Sequence, residues 1–121
     1  MKRRFLIAKL HQARITQADL EYEGSFGIDS EILDAAGILE NEVVYVYNID
    51  QGTRFSTYAI REPSGSRCMQ ANGACAHLVR PGDRVIVCVY ADLDENEWKS
   101  HKPTILLLDE NNHYRFKETT I

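Results

Sequence analysis

Apolar and β-branched residues alternate with polar residues near the start of the chain. In residues 5–16, FLIAKLHQARIT, this loose alternation predicts a β-strand. Alternate residues of a strand lie on the same face of a sheet, so Lys9, His11 and Ala13 are expected on one face. Two polar side chains would then share a surface with the core.

Further segments have the composition of strands. Residues 42–50 and 54–62, EVVYVYNID and RFSTYAIRE, are rich in β-branched and aromatic residues and predict an antiparallel hairpin that turns at a glycine. Residues 81–92, PGDRVIVCVYAD, predict a strong strand. Residues 104–117, TILLLDENNHYRFK, predict a final hairpin that turns at 110–112.

Helical patterns are fewer and shorter. The segment IDSEILDAAGI has Asp29 or Ser30 as a candidate N-cap and Gly37 as a natural stop, which predicts one short helix. The segment NGACAHLV, residues 72–79, predicts another helical turn. The segment LDENEWKSHKP, residues 93–103, is expected to be a charged loop or a brief helix.

A faint internal repeat relates residues 35–46, AAGILENEVVYV, to residues 76–87, AHLVRPGDRVIV, at a constant offset. In each copy a short helix leads through a polar turn into a strand. Six or seven short strands with two small helices predict a closed antiparallel or mixed barrel, which has no exposed sheet edge. The repeat predicts an internal pseudo-two-fold axis in that barrel.

Composition narrows the class of protein. The 121 residues suit one domain, and 44% hydrophobic with 26% charged residues is typical of a globular protein. A net charge of −4 argues against nucleic acid as the main partner. The charged N-terminal segment begins like a signal peptide, but its apolar run stops at Lys9 and His11 and no small-residue cleavage site follows, so we expect a cytoplasmic protein. Three cysteines without CxxC spacing favour buried thiols over disulfides or zinc.

The common phosphate-loop, metal and nucleophile-elbow motifs are missing from the sequence. One dipeptide is nevertheless a candidate for unusual chemistry. Gly24-Ser25 lies in EYEGSFGID, and such a pair is usually a turn. A serine hydroxyl can also attack the carbonyl immediately before it in an N-to-O acyl shift. Glycine would help, because a residue without Cβ tolerates a strained backbone and a close approach. Elimination and hydrolysis would then convert the serine into a pyruvoyl group.

Several segments together resemble the pyruvoyl-dependent aspartate 1-decarboxylase family, in order and spacing. They are AKLHQARIT, ADLEYEGS, ID followed by LDAAGILENE, RFSTYAI, GSR and NGACAH. The resemblance implies a double-psi β-barrel of the all-β class and self-cleavage of residues 1–121 into 1–24 and 25–121. The pyruvoyl group from Ser25 would form a Schiff base with L-aspartate, and β-alanine for pantothenate and coenzyme A synthesis would be released. No metal and no pyridoxal phosphate are expected.

The resemblance also assigns roles to individual residues. Ser25 and Tyr58 would be catalytic, with Tyr58 as proton donor, and Gly24 and Ser25 would form the cleavage site. Thr57 would hydrogen-bond the Gly24 carbonyl. The other assigned residues are the substrate-binding Arg54, Lys9, Asn72, Gly73, Ala74 and Cys75, and the supporting His11 and Tyr22.

Family members are homotetramers with active sites at subunit interfaces, so Lys9 or Arg54 would act on a neighbouring subunit. A helper protein for maturation is a further expected partner, whereas nucleic acid and membranes are not. The alternative from another class is a non-catalytic double-psi barrel that binds a partner through its loops, with Gly24-Ser25 uncleaved.

Overall fold

The computed structural model describes residues 1–118 and consists mainly of β-strands. Within that range no helix is long and apolar enough to cross a membrane. The elements are β1 Arg3–Arg14, β2 Gln17–Asp19, β3 Ser25–Asp29, α1 Ser30–Ala36, β4 Val43–Asn48, β5 Arg54–Glu62, β6 Met69–Asn72, a 3-10 helix Gly73–Leu78, β7 Arg84–Leu93, α2 Glu95–Trp98, β8 Thr104–Leu108 and β9 Tyr114–Phe116.

The strands form one mixed sheet in the order β2-β6-β3-β5-β4-β7-β1-β8-β9. β2 lies at one edge and β1 is seventh in this order, yet only Ile15 and Thr16 separate them in the chain. The sheet must therefore curl until its edge meets β1. Backbone bonds from Ile15 N to the Asp83 carbonyl and from Thr16 N to the Met69 carbonyl hold this junction. The prediction of an all-β barrel is confirmed.

The elements with strong periodicity are confirmed, while the predicted strand count was too low. The two predicted hairpins pair antiparallel as β4 with β5 and β8 with β9. The structure has nine strands within residues 1–118, where six or seven were expected. β2, β3 and β6 were missed because they are short and pair with distant parts of the chain. Short buried strands have no alternating pattern to reveal them.

A β-bulge changes the predicted faces of β1. Ala8 and Leu10 are buried in the core, and Lys9 and His11 are only partly buried, as alternation requires. Ala13 is also fully buried, so it does not share a face with Lys9 and His11 as expected. Gln12 adopts a positive φ of 61°, and the β1–β7 register shifts between Leu10 and Ala13. The extra residue resets the alternation.

Helix α1 begins and ends where the sequence predicted. The Asp29 carboxylate accepts a hydrogen bond from the Glu31 amide as N-cap, and Gly37 ends the helix in the left-handed region at φ 74°. Asp29 is fully buried, and its carboxylate also accepts bonds from the Gly65 and Arg67 amides. One side chain thus ties the end of β3 to α1 and to the loop before β6.

The internal repeat corresponds to a symmetric contact in the sheet. α1 leads into β4, and the 3-10 helix leads into β7. β4 and β7 pair antiparallel, with Val46 directly opposite Val87, and these two residues are equivalent in the two copies of the repeat. Pairing of equivalent residues is what the predicted pseudo-two-fold axis requires at this point of the sheet.

Replacing Asp29 with alanine should destabilise the fold by roughly 2–4 kcal/mol, because three backbone amides lose a buried acceptor. Urea denaturation at fixed protein concentration would measure the loss. Asp34→Ala is the matched control on the same helix, since Asp34 is exposed and its carboxylate pairs, among residues 1–118, only with the Arg61 guanidinium. Equal stability losses in the two variants would contradict the role given to Asp29.

Candidate active site

Ser25 lies where an exposed turn enters the buried sheet. Residues 21–24 are exposed, whereas all five residues of β3, from Ser25 to Asp29, are buried. Ser25 is 2% exposed and pairs with Asn72 of β6. The bond between Gly24 and Ser25 is therefore held at its C-terminal end by a rigid strand, while the residues before it face solvent.

The Ser25 hydroxyl is fixed by two hydrogen bonds. Its Oγ donates to the Glu23 carbonyl oxygen at 3.0 Å and accepts from the Asn72 Nδ2 at 3.0 Å. Because both contacts act on one atom, the side chain is held in one rotamer beside its own backbone. The hydroxyl is therefore turned back toward the residues that precede it in the chain.

Asn72 is itself oriented by a neighbour on β6. The Gln70 Nε2 donates to the Asn72 Oδ1 at 2.7 Å, and the Asn72 side chain is completely buried. This contact leaves the Asn72 amide nitrogen pointing at Ser25. A fixed donor beside Oγ stabilises negative charge that develops on that oxygen when its proton leaves.

Gly73 explains how the turn packs so closely on the sheet. A Cβ at Gly73 would lie 2.8 Å from the Gly24 Cα and 2.9 Å from the Gly24 nitrogen, closer than real Cβ contacts allow. Gly73 also has a φ of 73°, which favours glycine. Only a glycine at position 73 allows Gly24 to lie against β6.

The steric need for glycine lies at Gly73 and not at Gly24. The Gly24 φ lies outside the left-handed region, and a Cβ there would meet no heavy atom within 4 Å. The residues before Ser25 form a turn, and the residues from Ser25 onward form a strand that the sequence did not predict.

The 3-10 helix after Asn72 places a thiol beside Ser25. Cys75 Sγ donates to the Asn72 carbonyl at 3.2 Å and to the Ser25 carbonyl at 3.7 Å. Burial raises the pKa of Cys75, so it remains a thiol at neutral pH. Ala74, by contrast, is exposed. Asn72 and Cys75 thus both contact Ser25, and Gly73 packs against Gly24.

Thr57 and Tyr58 come to the site on β5. β3 and β5 run parallel, and their register begins with Phe26 beside Ala59, so Ser25 and Tyr58 are the residues directly before the first pair. Tyr58 is 37% exposed, which leaves its phenol available to a substrate. Thr57 is half-buried, and within residues 1–118 its hydroxyl makes no hydrogen bond to Gly24.

Within residues 1–118, neither Lys9 nor Arg54 forms a hydrogen bond or an ion pair with Ser25 or with the side chains that hold it. In the sheet order, β7 and β4 lie between β1, which carries Lys9, and β5, which carries Arg54. Arg54 also precedes Tyr58 by four residues along β5, which is roughly 13 Å. The two cations therefore come from strands that are not neighbours in the sheet.

The two supporting residues differ in their surroundings. Tyr22 is 55% exposed in the turn before Ser25. The His11 Nδ1 is buried without a hydrogen-bond partner among the described residues. Burial, with Lys9 and Lys117 nearby, lowers the pKa of His11, so the ring is neutral at pH 7. His11 therefore adds an imidazole, and not a further positive charge, to the face that carries Lys9.

Sequence reasoning missed two contributors to this arrangement. Gln70 orients Asn72, and the Glu23 carbonyl accepts a hydrogen bond from the Ser25 hydroxyl. The spacing of Gln70 and Asn72, two apart on a strand and therefore on one face, was a signal that could have found Gln70. A backbone carbonyl has no sequence signal. Within residues 1–118 there is no cluster of side chains that could hold a metal ion.

Comparison with known proteins identifies the family. The sequence model of the aspartate decarboxylase family matches residues 1–115. An aspartate 1-decarboxylase of Alcanivorax borkumensis is 53% identical over 110 residues, which cover 91% of this chain and 87% of the relative. The aspartate 1-decarboxylases of Psychromonas ingrahamii and Maricaulis maris are each 52% identical to this chain. Both matches cover 93% of this chain, and they cover 90% and 93% of the two relatives, respectively. The chain belongs to the aspartate decarboxylase family.

Proposed function

We propose that this protein is an aspartate 1-decarboxylase that converts L-aspartate to β-alanine and carbon dioxide with a pyruvoyl group made from its own Ser25. One observation carries the proposal. In a chain of this family, the Ser25 hydroxyl is buried directly after Gly24 and is held between the Glu23 carbonyl and the Asn72 amide. A turn serine would not need this fixation.

The pyruvoyl group would form in three steps. The Ser25 oxygen attacks the Gly24 carbonyl carbon, the carbon–nitrogen bond breaks, and the hydroxyl proton ends on the Ser25 nitrogen. A base then removes the Ser25 α-proton, and the carbon–oxygen bond breaks to release the Gly24 carboxylate. Water adds to the dehydroalanine that remains, ammonia leaves, and a ketone stands at the new N-terminus. Residues 1–24 and 25–121 become two chains.

The residues around Ser25 support the first step. The Asn72 amide donates to Oγ and would stabilise charge on that oxygen during attack. The close contact between Gly73 and Gly24 sets the position of the peptide that is attacked. In this proposal Thr57, on the strand beside β3, forms a hydrogen bond to the Gly24 carbonyl only as the oxyanion develops.

The same residues suit the reaction of aspartate. The pyruvoyl ketone, when formed, would bind the substrate amine and act as an electron sink. Tyr58, beside Ser25 and partly exposed, would deliver a proton to the substrate α-carbon after carbon dioxide leaves. Ala74 and Cys75 would line the opposite side, where small residues expose the backbone of the 3-10 helix. The Cys75 thiol is uncharged and would not repel a dicarboxylate.

The positions of Lys9 and Arg54 support a site that is shared between subunits. A dicarboxylate needs cations, and these two come from strands that are not neighbours and form no hydrogen bond to Ser25 within residues 1–118. We therefore propose a homotetramer in which the cations of one subunit serve the Ser25 of its neighbour. In this assembly the exposed Val43 and Tyr58, which lie opposite each other on β4 and β5, would be covered.

The family resemblance also supports a proposal about the metabolic role of the product in the cell. β-Alanine would feed pantothenate and coenzyme A synthesis in the cytoplasm, and a helper protein would accelerate the cleavage. A strain that lacks its own aspartate decarboxylase and grows only with added β-alanine tests the metabolic role. Growth without β-alanine is expected when this chain is expressed.

Ser25→Ala tests the proposal directly. The wild-type chain is expected to separate into two fragments on a denaturing gel, the larger with a blocked N-terminus by intact mass, and to release β-alanine. Ser25→Ala should stay one chain and release none, because it has no nucleophile. Ser56→Ala, an exposed serine on β5, is the control and should cleave normally. A wild-type chain that stays whole, even with cell extract that contains a helper, would favour the non-catalytic binding module.

Gly73→Ala should slow cleavage by roughly tenfold or more, because the new Cβ displaces Gly24 from the attacked position. The cleaved fraction would be followed by mass spectrometry over time. Gly37→Ala is the matched control: its φ of 74° imposes the same backbone penalty, but a Cβ there meets nothing within 4 Å. If both variants cleave at the same rate, the contact between Gly73 and Gly24 does not position the bond.

Tyr58→Phe should cleave like the wild type but lose about a hundredfold or more in kcat, because its ring keeps the packing and loses the proton donor. Initial rates of carbon dioxide release would be normalised to the cleaved protein. Tyr114→Phe, on β9 at the far end of the sheet, should keep full activity. Wild-type kcat in Tyr58→Phe would remove Tyr58 from the donor role.

A further inference from the structure

The Arg54 guanidinium lies over an aromatic ring. Arg54 and Tyr47 are directly opposite in the β4–β5 hairpin, and the guanidinium carbon lies 5.4 Å from the centre of the Tyr47 ring. This is cation–π distance. Within residues 1–118 the Arg54 side chain forms no ion pair with a carboxylate, although several other surface arginines do. Its donors therefore remain available to a ligand.

The Tyr47 ring is fixed in turn by Tyr90. The Tyr47 and Tyr90 hydroxyl oxygens are 3.0 Å apart, and Tyr90 belongs to β7, the strand next to β4. The Tyr45 ring meets the Tyr90 ring edge-on, with centroids 5.3 Å apart. Burial, and secondarily the contact with Tyr47, raises the pKa of Tyr90, so the phenol keeps its proton at ordinary pH. The hydroxyl pair is thus maintained.

We propose that Tyr47 and Tyr90 are positioning residues that hold Arg54 ready for a carboxylate of the substrate. This inference rests on the proposed function, in which Arg54 binds aspartate. Neither tyrosine needs to touch the substrate, because the ring of Tyr47 contacts Arg54 and the hydroxyl of Tyr90 contacts Tyr47. All three side chains belong to one chain, so the arrangement exists before subunits assemble.

The physical reason is the entropy of a long side chain. A free arginine loses much rotamer freedom when it binds a carboxylate, and that loss weakens binding. A guanidinium that lies over a ring has already lost part of this freedom, and the Arg54 N–H donors form no ion pair within residues 1–118, so they remain available to a carboxylate. The hydroxyl pair keeps the ring from turning away. The clamp should therefore act on substrate affinity and leave the chemical step unchanged.

Steady-state kinetics of the cleaved protein test the clamp. Tyr47→Leu should raise the KM for aspartate about fivefold, with kcat unchanged, because a contact of this kind at a partly exposed site is lost. Tyr47→Phe and Tyr90→Phe keep the rings and should each raise KM about twofold. The Phe double variant should be no worse than either single variant, since both remove the same hydroxyl contact. Succinate, a dicarboxylate without an amine, is the binding probe. Its affinity, measured by calorimetry, should fall in the same order of variants.

An Arg54→Gln background separates positioning from a general structural effect. In that background, Tyr47→Leu should change neither KM nor succinate affinity further, because the group that it positions is gone. A further change there, or wild-type KM and succinate affinity in Tyr47→Leu alone, would overturn the clamp. Succinate binding that follows the predicted order in a protein that does not decarboxylate aspartate would support the clamp and overturn the proposed reaction.

Discussion

The pairing of β3 on both sides is the constraint on which the site depends. Its five residues are all buried, with β5 parallel on one side and β6 antiparallel on the other. The strand begins at Ser25, so in the proposed cleavage the nucleophile could not move without breaking ladder bonds. The residue before it belongs to an exposed turn, and Gly73 packs so closely on it that a Cβ at Gly73 would lie 2.8 Å from the Gly24 Cα. The nucleophile and the peptide that it would attack are therefore both held in place, one by the strand pairing and the other by this contact.

The same pairing explains how the fold would tolerate a break between Gly24 and Ser25. The segment before the break is held by β1, which pairs with β7 and β8, and by β2, which pairs with β6. The segment after it begins with β3, which pairs with β5 and β6. Each fragment therefore keeps its place in the sheet through bonds to strands of the larger fragment. The break would also free the end of β3 to face a ligand.

Much of the fold was predictable from the sequence because its longer elements have local signals. The β4–β5 hairpin has β-branched residues around a glycine turn, and α1 has Asp29 and Gly37 at its ends. The missed strands lack such signals, since β3 is buried on both faces and β2 has three residues. The bulge at Gln12 was not predictable, because a glutamine at positive φ is set by pairing with β7 and not by its own preference.

The site was predictable to the extent that its chemistry lies in adjacent residues. Gly24-Ser25 and Asn72-Gly73 are both visible as dipeptides, but that they touch is a property of the β3–β6 register. The internal repeat does not indicate where the site lies. Its two copies, 35–46 and 76–87, meet at Val46 and Val87, while Ser25, Tyr58 and Asn72 all come from segments outside the repeat. The residues of the candidate site are brought together by the pairing of β3 with β5 and β6, which no pattern along the chain reveals.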